Sequence, residues 1–308
     1  MQINRRDFLK SGIAAGAALA LPGKGLFGQS TALLQKKIPS SGESIPVVGI
    51  GTARRYEEIQ TAAEKAPLRE TIQRFNELGG KVIDSSPSYG TAEAVVGELV
   101  DQLKARDSLF LATKVSLRDS GRAAGIKQIE QSFKRLRTDK IDLLAVHNLR
   151  DTETQLHTIR ELKQAGRVRY VGITTSFENQ YPEFEQTIRK ETLDFIQVDY
   201  ALDNRNAGER IIPLAGDRGM AVMINLPFGR GRLFNAVQGK KLPEWAADID
   251  CSTWAQFFLK YIVSHPAVTC AVPGMAKPEY VSDNLGAARG RLPDAAMRRR
   301  MENFIDAV

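Results

Sequence analysis

The chain has 308 residues, 26% of them charged and 43% hydrophobic, with a formal net charge of +7. Those proportions suit an ordinary globular domain with a full apolar core and argue against a disordered chain. Two cysteines, Cys251 and Cys270, and three histidines offer neither a disulfide framework nor metal-ligand spacing, so no metal is expected and both thiols read as small buried groups.

Residues 1–30 read as a separate segment. Arg5 and Arg6 precede Asp7, Phe8 and Leu9, and residues 11–21 form an uncharged run too short to span a bilayer, so no stable membrane anchor is expected. This order resembles a twin-arginine (Tat) signal peptide, with Ala18-Leu19-Ala20 as a cleavage site and a cut after Gln29 or Ser30 as the alternative. The resemblance implies removal of the leader, contact with the Tat export machinery and a periplasmic location; a basic tail on a cytoplasmic protein is the rival reading. The leader holds Arg5, Arg6, Lys10 and Lys24 against Asp7, which leaves +4 on residues 31–308. That charge is too small and dispersed to indicate nucleic acid.

Beyond the leader, residues 41–52 read as a hairpin, turning at Gly42, that leads into a first strand. Eight short apolar runs follow at 47–51, 81–84, 109–113, 141–146, 170–173, 195–198, 221–224 and 268–272. Segments with helical periodicity alternate with them, at 68–78, 93–103, 125–136, 152–164, 182–189, 209–218, 251–264 and 278–287. Gly79-Gly80, Gly166 and Gly219 stand where helix C-caps belong. Strict alternation predicts one α/β domain over 31–308, a (β/α)8 TIM barrel with an N-terminal hairpin and an extra C-terminal helix at 294–308. No GxGxxG turn follows an early strand, and 226–248 reads as a long functional loop.

The active face of such a barrel lies where strands end. Asp84, Lys114 and His147 stand at the ends of the second, third and fourth runs, and Tyr89 lies in the loop after the second. Together they suit carbonyl reduction, which needs a proton donor beside the oxygen that gains charge as hydride arrives. A lysine at about 4 Å and an effective dielectric of about 20 stabilises a phenolate by roughly 4 kcal/mol, which would draw Tyr89 down into a useful range. Asp84 would keep Lys114 charged, and His147 would orient the carbonyl oxygen.

The segments IDSSPSYGTAEAVVGEL, LATKV, SFKRLRTDKIDLLAVHNL, GRVRYVGITTSF and AVPGMAKPEYVSDNLG resemble successive signatures of the aldo-keto reductase superfamily. The resemblance implies reduction of an aldehyde or ketone, or the reverse, with Asp84, Tyr89, Lys114 and His147 as the catalytic group. It implies NADP(H) as cofactor, with NAD(H) as the alternative. Thr174, Thr175 and Gln197 would grip the carboxamide, and Thr52 and Asp84 the ribose side. Asn225, Leu226, Gly229 and Gly231 would belong to a pyrophosphate clasp, and Asn284 would read the adenine edge. Thr175 replaces the family's asparagine. In the eighth loop, where relatives place basic residues on the 2′-phosphate, Lys277 is the one cation. The implied partner is a small-molecule carbonyl compound, with the protein a monomer or weak oligomer. Two rival functions share these residues: a nucleotide-binding sensor or interaction subunit with little turnover, and an unrelated barrel lyase or isomerase using Lys114 as a Schiff-base amine.

Overall fold

The structure is a computed structural model that describes residues 32–117 and 120–308; the expected leader lies outside the described residues. A two-stranded antiparallel hairpin, β1 (Gln35–Lys37) and β2 (Ser44–Pro46), precedes eight parallel strands. These are β3 (Ile50–Gly51), β4 (Val82–Asp84), β5 (Phe110–Val115), β6 (Ile141–His147), β7 (Val168–Thr175), β8 (Phe195–Asp199), β9 (Ala221–Asn225) and β10 (Val268–Ala271). They are hydrogen-bonded in sequence order. Backbone bonds from Gly49 N to Ala271 O (2.8 Å), Ala271 N to Val47 O (2.9 Å) and Gly51 N to Pro273 O (2.8 Å) join the first strand to the last and close the barrel. The seam requires glycine: a Cβ on Gly51 would stand 2.5 Å from the Val272 carbonyl oxygen.

Helices α1 (Ala62–Glu77), α2 (Ala92–Gln102), α3 (Arg122–Leu136), α4 (Thr152–Gln164), α5 (Tyr181–Lys190), α6 (Ile211–Asp217), α8 (Trp254–Val263) and α9 (Pro278–Gly286) follow successive strands. The short α7 (Arg232–Ala236) lies within the loop after β9, and α10 (Ala295–Asp306) is the expected extra C-terminal helix. Two expectations need correction. Helix α1 starts six residues before the expected 68, because Thr61 and Glu64 form a reciprocal capping box that outweighs the one hydrogen bond lost at Pro67. The segment 226–248 is not a plain loop: it holds α7 and the 3-10 turns Gly229–Gly231 and Glu244–Ile249.

The core has two shells. Inside the barrel, Val82, Phe110, Leu143, Tyr170, Phe195, Met223 and Cys270 pack together, and Ile38 and Ile45 of the hairpin pack with them to plug the lower end. A larger apolar layer fills the space between strands and helices. Cys251 and Cys270 are both free and buried.

Candidate functional site

Because strand side chains alternate, the inner core residues fix which later residues also face inward. Counting by twos from Val82, Phe110, Leu143, Tyr170, Phe195 and Met223 places Asp84, Lys114, His147, Thr174, Gln197 and Asn225 inside the upper mouth. Register agrees, since His147 pairs with Thr174, and Thr174 with Gln197, across β6, β7 and β8. The same parity turns Thr175 outward. Its hydroxyl donates to Gln180 Oε1 at 2.5 Å and accepts from the Phe177 N–H at 3.1 Å, on the helix side of the sheet.

Lys114 and Asp84 form a buried ion pair, their side chains 2% and 7% exposed. The ammonium donates to both Asp84 carboxylate oxygens, at 2.8 and 2.9 Å, and to the Ser85 carbonyl at 2.7 Å. Three acceptors therefore meet the three donors of one ammonium. Burial, the largest influence, works against the charge on Lys114, but Asp84 and Tyr89 together hold its pKa above the ordinary 10.5. A lysine held so firmly in its charged form has no free electron pair, which disfavours a Schiff-base role.

Tyr89 sits against this pair, with the ammonium 5.2 Å from its ring centroid. The expected acidification of Tyr89 is not what the geometry gives. Burial raises its pKa more than Lys114 lowers it, and Asp84 and Glu57 add to the rise. A lone ammonium would acidify the phenol, but here Asp84 offsets its charge and burial excludes the water a phenolate needs. Tyr89 is a neutral phenol with a cation in reserve.

The rings of Tyr89 and His147 meet edge-on, with centroids 6.1 Å apart. Burial, followed by the charges of Lys114 and Arg150, pushes the His147 pKa down to about 3, so the imidazole is neutral. Its Nδ1 lies 2.9 Å from Ser116 Oγ and 3.4 Å from Ser86 Oγ. Asp84, Tyr89, His147 and Thr174 line one cleft of about 560 Å³, a volume suited to a cofactor or small-molecule site.

A family model described as "Aldo/keto reductase family" matches residues 47–302, and one for the twin-arginine translocation pathway signal sequence matches residues 2–22. The chain belongs to the aldo/keto reductase family. It is 31% identical over 270 residues to methylglyoxal reductase YeaE of Escherichia coli (strain K12), covering 85% of this chain and 93% of that one. Aldo-keto reductase YhdN of Bacillus subtilis (strain 168) is 29% identical over 226 residues, 69% of this chain and 66% of the relative. Among solved structures, an aldo-keto reductase from Klebsiella pneumoniae in complex with NADPH superposes with a TM-score of 0.75 at 23% identity, covering 89% of this chain and 95% of that chain. The family makes this chain an oxidoreductase with the (β/α)8 fold.

The structure distributes the residues matched to family cofactor contacts unevenly. Asn225, Leu226 and Gly231 line the cleft beside Thr174, while Gly229 lines an adjoining cavity of about 180 Å³. Leu226, Gly229, Arg230 and Gly231 all have left-handed backbone, which curls this loop tightly. Gln197 Nε2 and Asn225 Oδ1 are buried without a hydrogen-bond partner. One is a donor and the other an acceptor, the complement of a carboxamide, so the residues present fit a nicotinamide. Thr52 is fully buried, and its hydroxyl already donates to the Asp84 carbonyl at 3.0 Å; it braces the end of β4 and does not line the cleft. Asn284, buried on α9, and the exposed Lys277 do not line it either. Phe228 does, and so do residues that the sequence reading did not single out: Arg54, Arg55 and Arg230, with Phe177 and Phe234. Of these, Phe228 and Arg230 lie inside the loop already marked as functional.

Proposed function

We propose that the chain reduces an aldehyde or ketone to the alcohol with NADPH, Tyr89 giving the proton. The observation that carries this reading is the neutral Tyr89 phenol beside an ammonium that Asp84 keeps charged. The bound nicotinamide supplies the hydride. Thr174, Gln197 and Asn225 would hold its carboxamide, and the 226–231 loop its pyrophosphate.

As the carbonyl oxygen gains charge, the Tyr89 O–H transfers its proton and the new phenolate is stabilised by Lys114. Asp84 keeps that ammonium in place and protonated throughout. His147 would contribute as a neutral donor: with its Nδ1 accepting from the Ser116 or Ser86 hydroxyl, the ring proton would be on Nε2 and available to the substrate oxygen. In the reverse direction the same phenolate accepts the alcohol proton. The twin-arginine signal supports export of the folded enzyme to the periplasm.

The test is NADPH oxidation at 340 nm with methylglyoxal and benzaldehyde. Tyr89→Phe should lower turnover by about 10² to 10⁴, the range for a lost general acid, with NADPH affinity unchanged. Equal turnover by the wild type and Tyr89→Phe, or none by the wild type, would defeat the reading.

A further inference from the structure

The eighth loop holds its one cation, Lys277, outside the cleft, and the first loop supplies another on the cleft wall. We propose that Arg55 reads the adenosine 2′-phosphate and so sets the preference of this chain for NADPH over NADH. This rests on the cofactor reading above.

The barrel seam brings the two loops together, since Gly51 bridges to Gly274 although they lie at opposite ends of the chain. A tight turn follows β3: the Arg55 N–H donates to Thr52 O at 3.0 Å and the Tyr56 N–H to the same oxygen at 3.1 Å. Tyr56 is fully buried and pins the turn, leaving Arg55 exposed beside it. The Arg55 side chain then lies across Gly274. A Cβ there would stand 3.3 Å from Arg55 Cγ and 3.4 Å from its Nε, so glycine at 274 gives the arginine its bed. Among the described residues Arg55 takes part in no salt bridge, unlike Arg232, which is held by Asp203 at 2.9 Å. An unpaired guanidinium on the wall of a cleft presents a planar fork of donors suited to a phosphate.

Position decides which phosphate. The carboxamide end of the cleft is marked by the unpartnered amide atoms of Gln197 and Asn225, and the loop after β9 carries Arg230 beside its glycines. Arg55 stands on the far side of the barrel seam, against the loop that follows β10. Lys277, the cation of that loop, is turned away: its ammonium is 4.0 Å from Glu279 and 5.7 Å from the Tyr280 ring centroid, outside the cleft. Arg54 lines the same cleft, but it is the Arg55 side chain that packs on Gly274 of the loop after β10, which places Arg55 to take the one group that distinguishes the two nucleotides.

The experiment titrates the full chain with NADPH and with NADH and follows tryptophan fluorescence, which reads binding without turnover. The unaltered chain should bind NADPH at least about ten-fold tighter, a typical yield for one charge-assisted phosphate contact. Arg55→Met should bring the two affinities to within about three-fold by weakening NADPH alone, and Arg55→Lys should keep part of the difference. Arg230→Met should weaken both nucleotides by the same factor. The assignment is overturned if Arg55→Met leaves the NADPH to NADH ratio unchanged, or if Arg230→Met is the variant that collapses it. Failure of the unaltered chain to bind either nucleotide would instead sink the cofactor reading itself.

Discussion

Replacing Lys114 by methionine should be among the most destabilising single changes in the barrel. The Asp84 side chain is 7% exposed, and Lys114 supplies the hydrogen bonds to both of its oxygens, at 2.8 and 2.9 Å. Methionine fills the space but leaves the carboxylate without a donor, and breaking one partner of a buried pair costs about 3–5 kcal/mol. Adding Asp84→Asn removes the stranded charge, so the double variant should recover about 2–3 kcal/mol relative to the sum of the single losses. Urea unfolding at pH 7, followed by tryptophan fluorescence, measures all three. That pH captures the whole contribution: the Lys114 pKa is raised on folding, so its stabilisation is complete below 10.5 and lost only as pH climbs through the folded value. A loss below about 1 kcal/mol for Lys114→Met, or strict additivity in the double variant, would refute the claim that the pair acts as a desolvated unit.

Three further outcomes are expected. Thr174→Val and Gln197→Leu should each weaken NADPH binding by about ten-fold in a fluorescence titration, whereas Thr175→Val should not, because its hydroxyl faces Gln180. The His147 pKa is depressed to about 3 on folding, so the unfolded chain binds a proton below 6.5 that the native one refuses. Stability is therefore full above pH 6.5 and erodes as pH falls toward 3, and His147→Gln should reduce the loss between pH 7 and pH 4 by up to about 3 kcal/mol in urea melts. Finally, Lys-Lys in place of Arg5 and Arg6 should retain the protein in the cytoplasm, as read by cell fractionation; unchanged export would remove the twin-arginine route.

Much of the barrel was legible because its signals are local. Each strand is a short apolar run, each helix has its own period, and the glycines at helix ends punctuate them. Asp84, Lys114 and His147 were legible for the same reason, as ionisable groups at the upper ends of apolar strands, and Tyr89 as a phenol in the loop that follows one. Parity along β7 follows once Tyr170 is known to face inward: counting from it turns Thr174 in and Thr175 out. Two features could not be read that way. Arg55 meets Gly274 only once the barrel closes, and no local pattern encodes a contact across that distance in the chain. The upward shift of Tyr89 depends on how much water the folded site excludes, and on Asp84 neutralising the lysine, neither of which residue types alone convey.

The pH dependence of single-turnover reduction tests most directly whether a neutral Tyr89 is the proton source. Mixing the NADPH-loaded protein with excess benzaldehyde should give a rate constant that is level from about pH 5 to pH 9, since His147 titrates below that window and Tyr89 above it. Tyr89→Phe should lie far beneath it at every pH. A wild-type profile that breaks near pH 7 would contradict the account, because it would name an acid other than this phenol.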